Sequence, residues 1–98
     1  MASKTRIVAV STNGWAAIHY AAKRGDVKIL NVLIQHGGDV HLRADDGKIP
    51  LHLAVMYNNE EAINLLLERG SDVNAKDNFG NTALSIALGR INSDVSLV

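Results

Sequence analysis

The 98-residue sequence contains no cysteine, so it can form neither a disulfide nor a metal site built on thiolates. This absence is also compatible with a reducing compartment. Basic and acidic residues number ten each, and no run of lysines or arginines occurs. Binding to nucleic acid through counterion release requires a clustered basic surface. The charge pattern therefore argues against nucleic acid as a partner.

Long apolar segments are missing as well. Near the N-terminus the apolar run at residues 7–10 is too short for the core of a signal peptide. No segment approaches the roughly 18 apolar residues of a membrane-spanning helix. We therefore expect neither secretion nor a membrane partner, and we place the protein in the cytoplasm, with the nucleus as the alternative.

Groups that could perform catalysis are present only in contexts that favour a structural role. No serine lies in a Gly-x-Ser-x-Gly context, and no glycine-rich loop precedes a predicted helix. Two pairs of adjacent carboxylates fit a hairpin tip and the first turn of a helix: Asp45–Asp46 and Glu60–Glu61. We predict that the protein is not an enzyme and has no catalytic residue, cofactor site or metal site.

The sequence does contain a repeat of 33 residues. Residues one period apart are identical or similar in kind at many positions: Gly14, Gly47 and Gly80; Ile18, Leu51 and Leu84; Ala21, Ala54 and Ala87; Leu33 and Leu66; Gly37 and Gly70; Val40 and Val73. So many matches in one register indicate a stack of similar units. His19 and His52 also keep the spacing, and Ser85 follows in the third unit.

Each unit has the pattern of two helices followed by a loop. Apolar residues at helical spacing cover residues 16–23 and 27–34 in the first unit. Gly25 and Asn58 occupy the turn between the two helices, where a left-handed conformation is favoured. Helix pairs this apolar cannot bury both faces alone, so neighbouring units must stack.

The repeated unit resembles the ankyrin repeat. The family pattern appears in the segments Gly-Lys-Ile-Pro-Leu-His-Leu-Ala at residues 47–54 and Leu-Leu-Glu-Arg-Gly-Ser-Asp-Val-Asn-Ala at residues 66–75. The resemblance implies an all-α solenoid of about three helix-turn-helix units joined by hairpin loops. It also implies that His19 and His52 form hydrogen bonds with neighbouring backbone. Ala17 and Ala83 depart from the pattern, which has proline at these positions.

The register predicts the limits of the units. Repeat 1 covers residues 11–43, repeat 2 covers 44–76, and a partial repeat 3 covers 77–98, while residues 1–10 resemble the end of a preceding repeat. In repeat 3, Ile91 occupies the turn position, where a β-branched residue is unfavourable. We therefore predict a two-residue insertion that places the turn at Ser93. A fragment of a longer array and a complete protein with degenerate ends are both compatible with this pattern.

The resemblance implies that a protein partner contacts the hairpin tips and the exposed, concave face of each first helix. We predict a contact strip centred on Trp15, Met56, Tyr57 and Phe79 and flanked by Arg24 and Arg90. Aromatic residues and arginine dominate binding hot spots. The full predicted set is Asn13, Trp15, Lys23, Arg24, Asp46, Lys48, Met56, Tyr57, Phe79, Asn81 and Arg90.

Alternatives remain open at this point. Trp15 and Phe79 could instead pack locally over neighbouring hairpins, as we expect for Tyr20. The chain could be a regulatory or targeting segment of a larger protein or enzyme whose catalytic part lies elsewhere. We expect a monomer or weak end-to-end self-association. Asn74 lies in a context that resembles the site at which ankyrin asparagines are hydroxylated.

Overall fold

The structure is a computed structural model that describes residues 15–95 and, among these, the side chains of residues 15–89. This part of the chain forms five helices, namely α1 (Ala17–Arg24), α2 (Val27–Gln35), α3 (Pro50–Met56), α4 (Glu60–Glu68) and α5 (Ala83–Val95), and no β-strand. The all-α prediction is therefore confirmed. The predicted tail at residues 1–10 lies outside the described residues. None of the helices within residues 15–95 is long and apolar enough to cross a membrane.

The turn inside each helix pair has the predicted left-handed residue. The backbone φ angle is 74° at Gly25 and 57° at Asn58. In both turns the following residue donates a backbone hydrogen bond to the preceding helix, from Asp26 to Ala21 at 3.1 Å and from Asn59 to Ala54 at 2.9 Å. Asparagine therefore reproduces the turn that glycine makes in the first unit, as predicted.

Small side chains allow the units to stack closely. Helix α1 packs on α3, α3 packs on α5, and α2 packs on α4. Ala21 and Ala54 lie in equivalent positions of α1 and α3 and are almost completely buried, so the first helices can approach each other. The shared apolar core consists of Ala16, Ile18, Ala21, Ala22, Leu30, Val40, Ile49, Leu51, Leu53, Ala54, Ala62 and Leu66.

His19 and His52 perform the backbone role that the resemblance implies. Nδ1 of each ring accepts a hydrogen bond of 3.0 Å from the backbone N–H three residues earlier. That nitrogen must therefore be unprotonated, so the proton is on Nε2. Nε2 donates to the carbonyl oxygen of Leu42 in the first unit and of Ala75 in the second, at 2.9 Å in both. Each histidine thus joins the start of a first helix to the loop at the end of its own unit.

In the third unit a serine takes the place of the histidine at the start of the first helix. The backbone N–H of Thr82 donates to Oγ of Ser85 at 2.8 Å, and the N–H of Ser85 donates to Oγ1 of Thr82 at 3.2 Å. These reciprocal bonds form a capping box. The short serine side chain satisfies the first turn of α5 but does not extend to a distant loop as the histidines do.

The predicted turn in the third unit is wrong. Helix α5 continues through Ser93, where the sequence analysis placed a turn. Ile91 occupies the slot that Gly25 and Asn58 fill in the other units, and a β-branched residue opposes positive φ. The helical conformation therefore continues past this slot. The limits of the partial repeat at residues 77–98 stay a prediction.

The start of α5 has an apolar face that the other first helices bury. Leu84 is 67% exposed, whereas Ile18 and Leu51 in the same slot are 2% and 1% exposed. Leu88, one turn later, is also exposed. No second helix follows α5 within residues 15–95, so this part of the face lacks the cover that the other units have.

Candidate partner-binding surface

Trp15 lies two residues before the first residue of α1 and packs against two rings of that helix. Its ring makes an edge-to-face contact with the ring of Tyr20, with centroids 5.0 Å apart and an interplanar angle of 66°. His19 is stacked near it, at a centroid distance of 6.4 Å. Trp15 is half-buried against the core, and Tyr20 is still 38% exposed. The local packing expected for Tyr20 is therefore present, but it does not bury the ring.

Lys23 connects the first two units at the end of α1. Its ammonium lies 5.5 Å from the centroid of Trp15 and 5.3 Å from that of Tyr57, which follows α3. Both distances are within the range of cation–π attraction. Trp15, Tyr20, Lys23 and Tyr57 are named the aromatic–lysine cluster below. Three of its members, Trp15, Lys23 and Tyr57, belong to the predicted site, and the fold brings them together.

Met56 and Arg24 flank this cluster differently. Met56 is half-buried and packs against the core. Arg24 is exposed and lies at a shallow groove of about 300 Å³, which also contains the exposed carboxylates of Glu60 and Glu61. The groove consists of turn residues and the first turn of α4: Arg24, Gly25, Asn58, Asn59, Glu60, Glu61 and Ala62. Its residues include no nucleophile paired with a base.

A second group of predicted residues connects the hairpins of units two and three. The ammonium of Lys48 donates to Oδ2 of Asp77 at 2.7 Å and lies 3.4 Å from Oδ2 of Asp46. Asn81 donates to Asp77 through its backbone N–H at 2.9 Å and through its side chain at 3.2 Å. Asp46, Lys48, Asp77 and Asn81 are named the hairpin network.

Electrostatics within the hairpin network favour the charged forms of both central residues. Burial alone would raise the pKa of Asp77, but the hydrogen bonds from Lys48, Asn81 and Phe79 outweigh it and hold that pKa well below its usual range. Burial alone would lower the pKa of Lys48, but Asp77 and Asp46 raise it. The pair therefore stays ionised at neutral pH.

Burial restricts what Lys48 can offer to a partner. The side chain of Lys48 is 12% exposed and that of Asp77 is fully buried. The backbone carbonyl of Asp46 also accepts a hydrogen bond of 2.9 Å from the N–H of Asn78 in the next hairpin. Asp46, Lys48 and Asn81 thus hold two hairpins together, and their contact with a partner stays a prediction.

Phe79 is the most exposed of the large apolar side chains described, at 75%. The ammonium of Lys48 lies 5.6 Å from its ring centroid. This contact leaves most of the ring in solvent, whereas local packing over a neighbouring hairpin would cover it. Asn13 and the side chain of Arg90 lie outside the described residues, so their place in the surface stays a prediction.

The buried histidines lie in surroundings that oppose protonation. Burial lowers the pKa of His19, although the carbonyl groups of Lys48 and Leu42 partly offset this effect. Burial likewise lowers the pKa of His52 against the opposing effect of the Ala75 carbonyl. No group of three histidine, aspartate or glutamate side chains that could hold a metal ion occurs among the described side chains.

Sequence reasoning missed two residues that organise the surface. Asp77 is the first residue of an Asp-x-x-Gly turn that the second unit lacks, because Ala44 stands in the equivalent position; that difference was a usable signal. Asn59 donates from its side chain to the carbonyl oxygen of Ala22 at 2.8 Å and also to that of Lys23, and so caps α1 from the next unit. No local pattern indicates a bond across units, so Asn59 could not have been found.

Comparison with known proteins agrees with this architecture. The family model described as ankyrin repeats in three copies matches residues 3–77. An ankyrin repeat-containing protein of Schizosaccharomyces pombe is 40% identical over 43 residues, which cover 44% of this chain and 21% of that protein. The 2-5A-dependent ribonuclease of Mus musculus is 44% identical over 39 residues, which cover 40% of this chain and 5% of that protein.

A further relative shows the same partial relationship. The BCL-6 corepressor-like protein 1 of Homo sapiens is 45% identical over 38 residues, which cover 39% of this chain and 2% of that protein. The matched segment thus spans about a fifth or less of each of these relatives. Ankyrin repeats form a non-catalytic fold whose general role is to bind proteins. The family match over residues 3–77, together with the stacked helix pairs, shows that this chain belongs to the ankyrin repeat family.

Proposed function

We propose that this chain binds a protein partner through the contact strip of Trp15, Met56, Tyr57 and Phe79, flanked by Arg24 and Arg90. The remaining predicted residues, Asn13, Lys23, Asp46, Lys48 and Asn81, border this strip at the tips and the first helix. The observation that supports the proposal best is the aromatic–lysine cluster, since it places aromatic rings from two units on one surface.

Exposure of the aromatic rings supports the same surface. Tyr57 is 46% exposed and Phe79 is 75% exposed, although the chain has only one tryptophan, two tyrosines and one phenylalanine. Large rings in water lower solubility unless a partner covers them. Trp15 is half-buried already, so it loses little conformational freedom on binding. These features are typical of anchor residues at protein interfaces.

Two alanine substitutions test the proposal. The 98-residue chain would be used to capture a partner, which would then be purified and titrated by calorimetry against the variants. We expect Tyr57→Ala and Phe79→Ala each to weaken binding roughly thirtyfold, since loss of a hot-spot residue costs about 2 kcal/mol or more. Equal helical circular dichroism would show that the variants are folded.

Val32 provides a matched control. It is an apolar residue of α2 and is 52% exposed, but it is not part of the contact strip. Val32→Ala should leave the affinity unchanged. The proposal would be contradicted if Val32→Ala lost binding while Tyr57→Ala and Phe79→Ala kept full affinity. Such a result would indicate that the partner binds the second helices instead.

A second candidate function is supported by the sizes of the relatives. Each relative carries the matched repeats within a much longer chain, and one of them is named as a ribonuclease. The present repeats could accordingly serve as a regulatory or targeting segment of a larger protein. Transcript sequencing that extends the reading frame into a catalytic domain would favour this function.

We also propose the repeat limits of 11–43, 44–76 and 77–98. The chain is either a monomer or associates weakly end to end. The exposure of Leu84 and Leu88 on α5 supports such contacts. Sedimentation over a range of concentrations would test this, and Leu84→Gln should remove any association. Association that persists in Leu84→Gln would contradict an end-to-end contact.

A further inference from the structure

Lys23 and Lys48 both lie beside aromatic rings, but their charges are used differently. Lys48 is neutralised by two carboxylates, since its ammonium is 2.7 Å from Asp77 and 3.4 Å from Asp46. Lys23 has no carboxylate within 4.0 Å among the described side chains, residues 15–89. Its ammonium lies instead beside the rings of Trp15 and Tyr57. Within this part of the chain, the Lys23 charge is therefore held beside two aromatic rings without a counter-ion.

Lys23 is not required to complete its own helix. The last carbonyl groups of α1 need donors, and the Asn59 side chain donates to those of Ala22 and Lys23. The turn at Gly25 satisfies further carbonyls through backbone N–H groups. Within the described residues 15–89, the three N–H donors of the Lys23 ammonium thus remain available for a ligand.

The position of this ammonium limits what can bind it. Two rings already lie near the ammonium, so a partner group must approach from the side that faces solvent. An anionic acceptor fits there, because charge-assisted hydrogen bonds to an ammonium are the strong ones. Next to it, the exposed parts of Tyr20 and Tyr57 offer apolar contact. The surface thus combines one cation with adjoining aromatic rings.

We propose that the aromatic–lysine cluster binds an acidic peptide segment of the partner. An aspartate or glutamate carboxylate pairs with Lys23, and a neighbouring apolar side chain lies against Tyr57 and Tyr20. This inference rests on the proposed function and adds the chemistry of the partner. Preorganisation favours the pairing, because the rings already restrict the long lysine side chain before binding.

Selection from random peptides tests the inference directly. Twelve-residue peptides displayed on phage would be selected on the immobilised 98-residue chain. We expect enrichment of peptides with Asp or Glu beside an apolar residue. The most enriched peptide would be synthesised and titrated by fluorescence of Trp15, which is the one tryptophan in the sequence.

Three variants of the interaction separate charge from fold. Lys23→Gln should weaken binding about tenfold or more, as expected for a hydrogen bond between charged groups. Lys28→Gln removes the same charge from an exposed position on α2 and should leave the affinity within about twofold, because exposed charges contribute little. Replacement of the peptide's acidic residue by its amide, tested on the unchanged chain, should give the same loss as Lys23→Gln.

Each outcome is informative. The selected peptides could bind Tyr57→Ala more weakly but bind Lys23→Gln as tightly as the original chain. That result would overturn the inference of an acidic segment but would agree with the proposed contact strip. Peptides that are insensitive to both Tyr57→Ala and Phe79→Ala would overturn the proposed function as well. A selection that enriches no peptide would count against both proposals.

Discussion

The ammonium of Lys48 donates a 2.7 Å hydrogen bond to the buried carboxylate of Asp77, which lies 29 residues later in the next hairpin. The other oxygen of Asp77 accepts the backbone N–H groups of Phe79 and Asn81, each at 2.9 Å. One carboxylate therefore shapes its own turn and also fixes the preceding hairpin. This bond is the main charged link between units two and three in the described part of the chain.

Asp77→Asn should destabilise the fold. The amide oxygen can still accept the backbone N–H groups, but Lys48 then keeps only Asp46 as a counter-ion at 3.4 Å. Breaking a buried ion pair costs about 3 kcal/mol, which would be measured by urea denaturation. Asp72→Asn is the control, because Asp72 is exposed and its local bond to the N–H of Asn74 is available to an amide. Equal stability of both variants would contradict a structural role for the pair.

Acidification should weaken the fold through His19 and His52. Burial lowers the pKa of both from the ordinary value of 6.5. Below that pH the unfolded chain binds protons that the folded chain excludes, so stability is complete above 6.5 and falls as the pH decreases. The slope is at most about 1.4 kcal/mol per pH unit for each histidine.

Urea denaturation at pH 7.5, 6.0 and 5.0 would measure this effect. The interval between pH 7.5 and 9 is an internal control, because both histidines are neutral there in the folded and in the unfolded chain. Proton NMR of the two rings would assign the titrations. A folded-state pKa at or above 6.5 for either ring, or a stability that rises on acidification, would refute the expected sign.

Gly47→Ala and Gly89→Ala should have opposite effects on stability. Gly47 has a φ of 84°, and a Cβ there would lie 2.7 Å from the backbone nitrogen of Asn78 in the next hairpin. We expect a loss of about 2 kcal/mol, because a side chain is strained in this conformation and meets backbone atoms. Gly89 lies within α5, and no described atom outside that helix's own backbone lies within 4 Å of the added Cβ. Alanine should therefore stabilise the fold by about 0.5–1 kcal/mol. The midpoint temperature of thermal unfolding should decrease in Gly47→Ala and increase in Gly89→Ala.

Ser71→Ala should stabilise the protein. Its hydroxyl is buried and has no hydrogen-bond partner among the described residues. Removal of an unsatisfied buried polar group should add roughly 1 kcal/mol to the free energy of unfolding. Ser85→Ala is the contrasting variant, since the hydroxyl of Ser85 caps α5. This substitution should lower the free energy of unfolding by roughly 1 kcal/mol. Destabilisation by Ser71→Ala would indicate a partner for this hydroxyl.

The sequence alone determined the repeat, the helix pairs and the turns between them. Local rules suffice for these features: apolar residues at helical spacing need a neighbour, and Gly25 and Asn58 each tolerate positive φ. The same rules do not predict that α5 continues through Ser93, because the absence of a good turn residue fits a shifted turn as well as a longer helix.

Tertiary structure decided how the charged residues are used. Lys23 and Lys48 look alike in the sequence, yet one lies between two rings and the other is buried against Asp77. Stacking determines this difference, because it brings side chains from consecutive units within a few ångströms of each other. Interactions between units depend on distances that the one-dimensional pattern does not contain, so the residues of the proposed binding surface come together only once the repeats are packed.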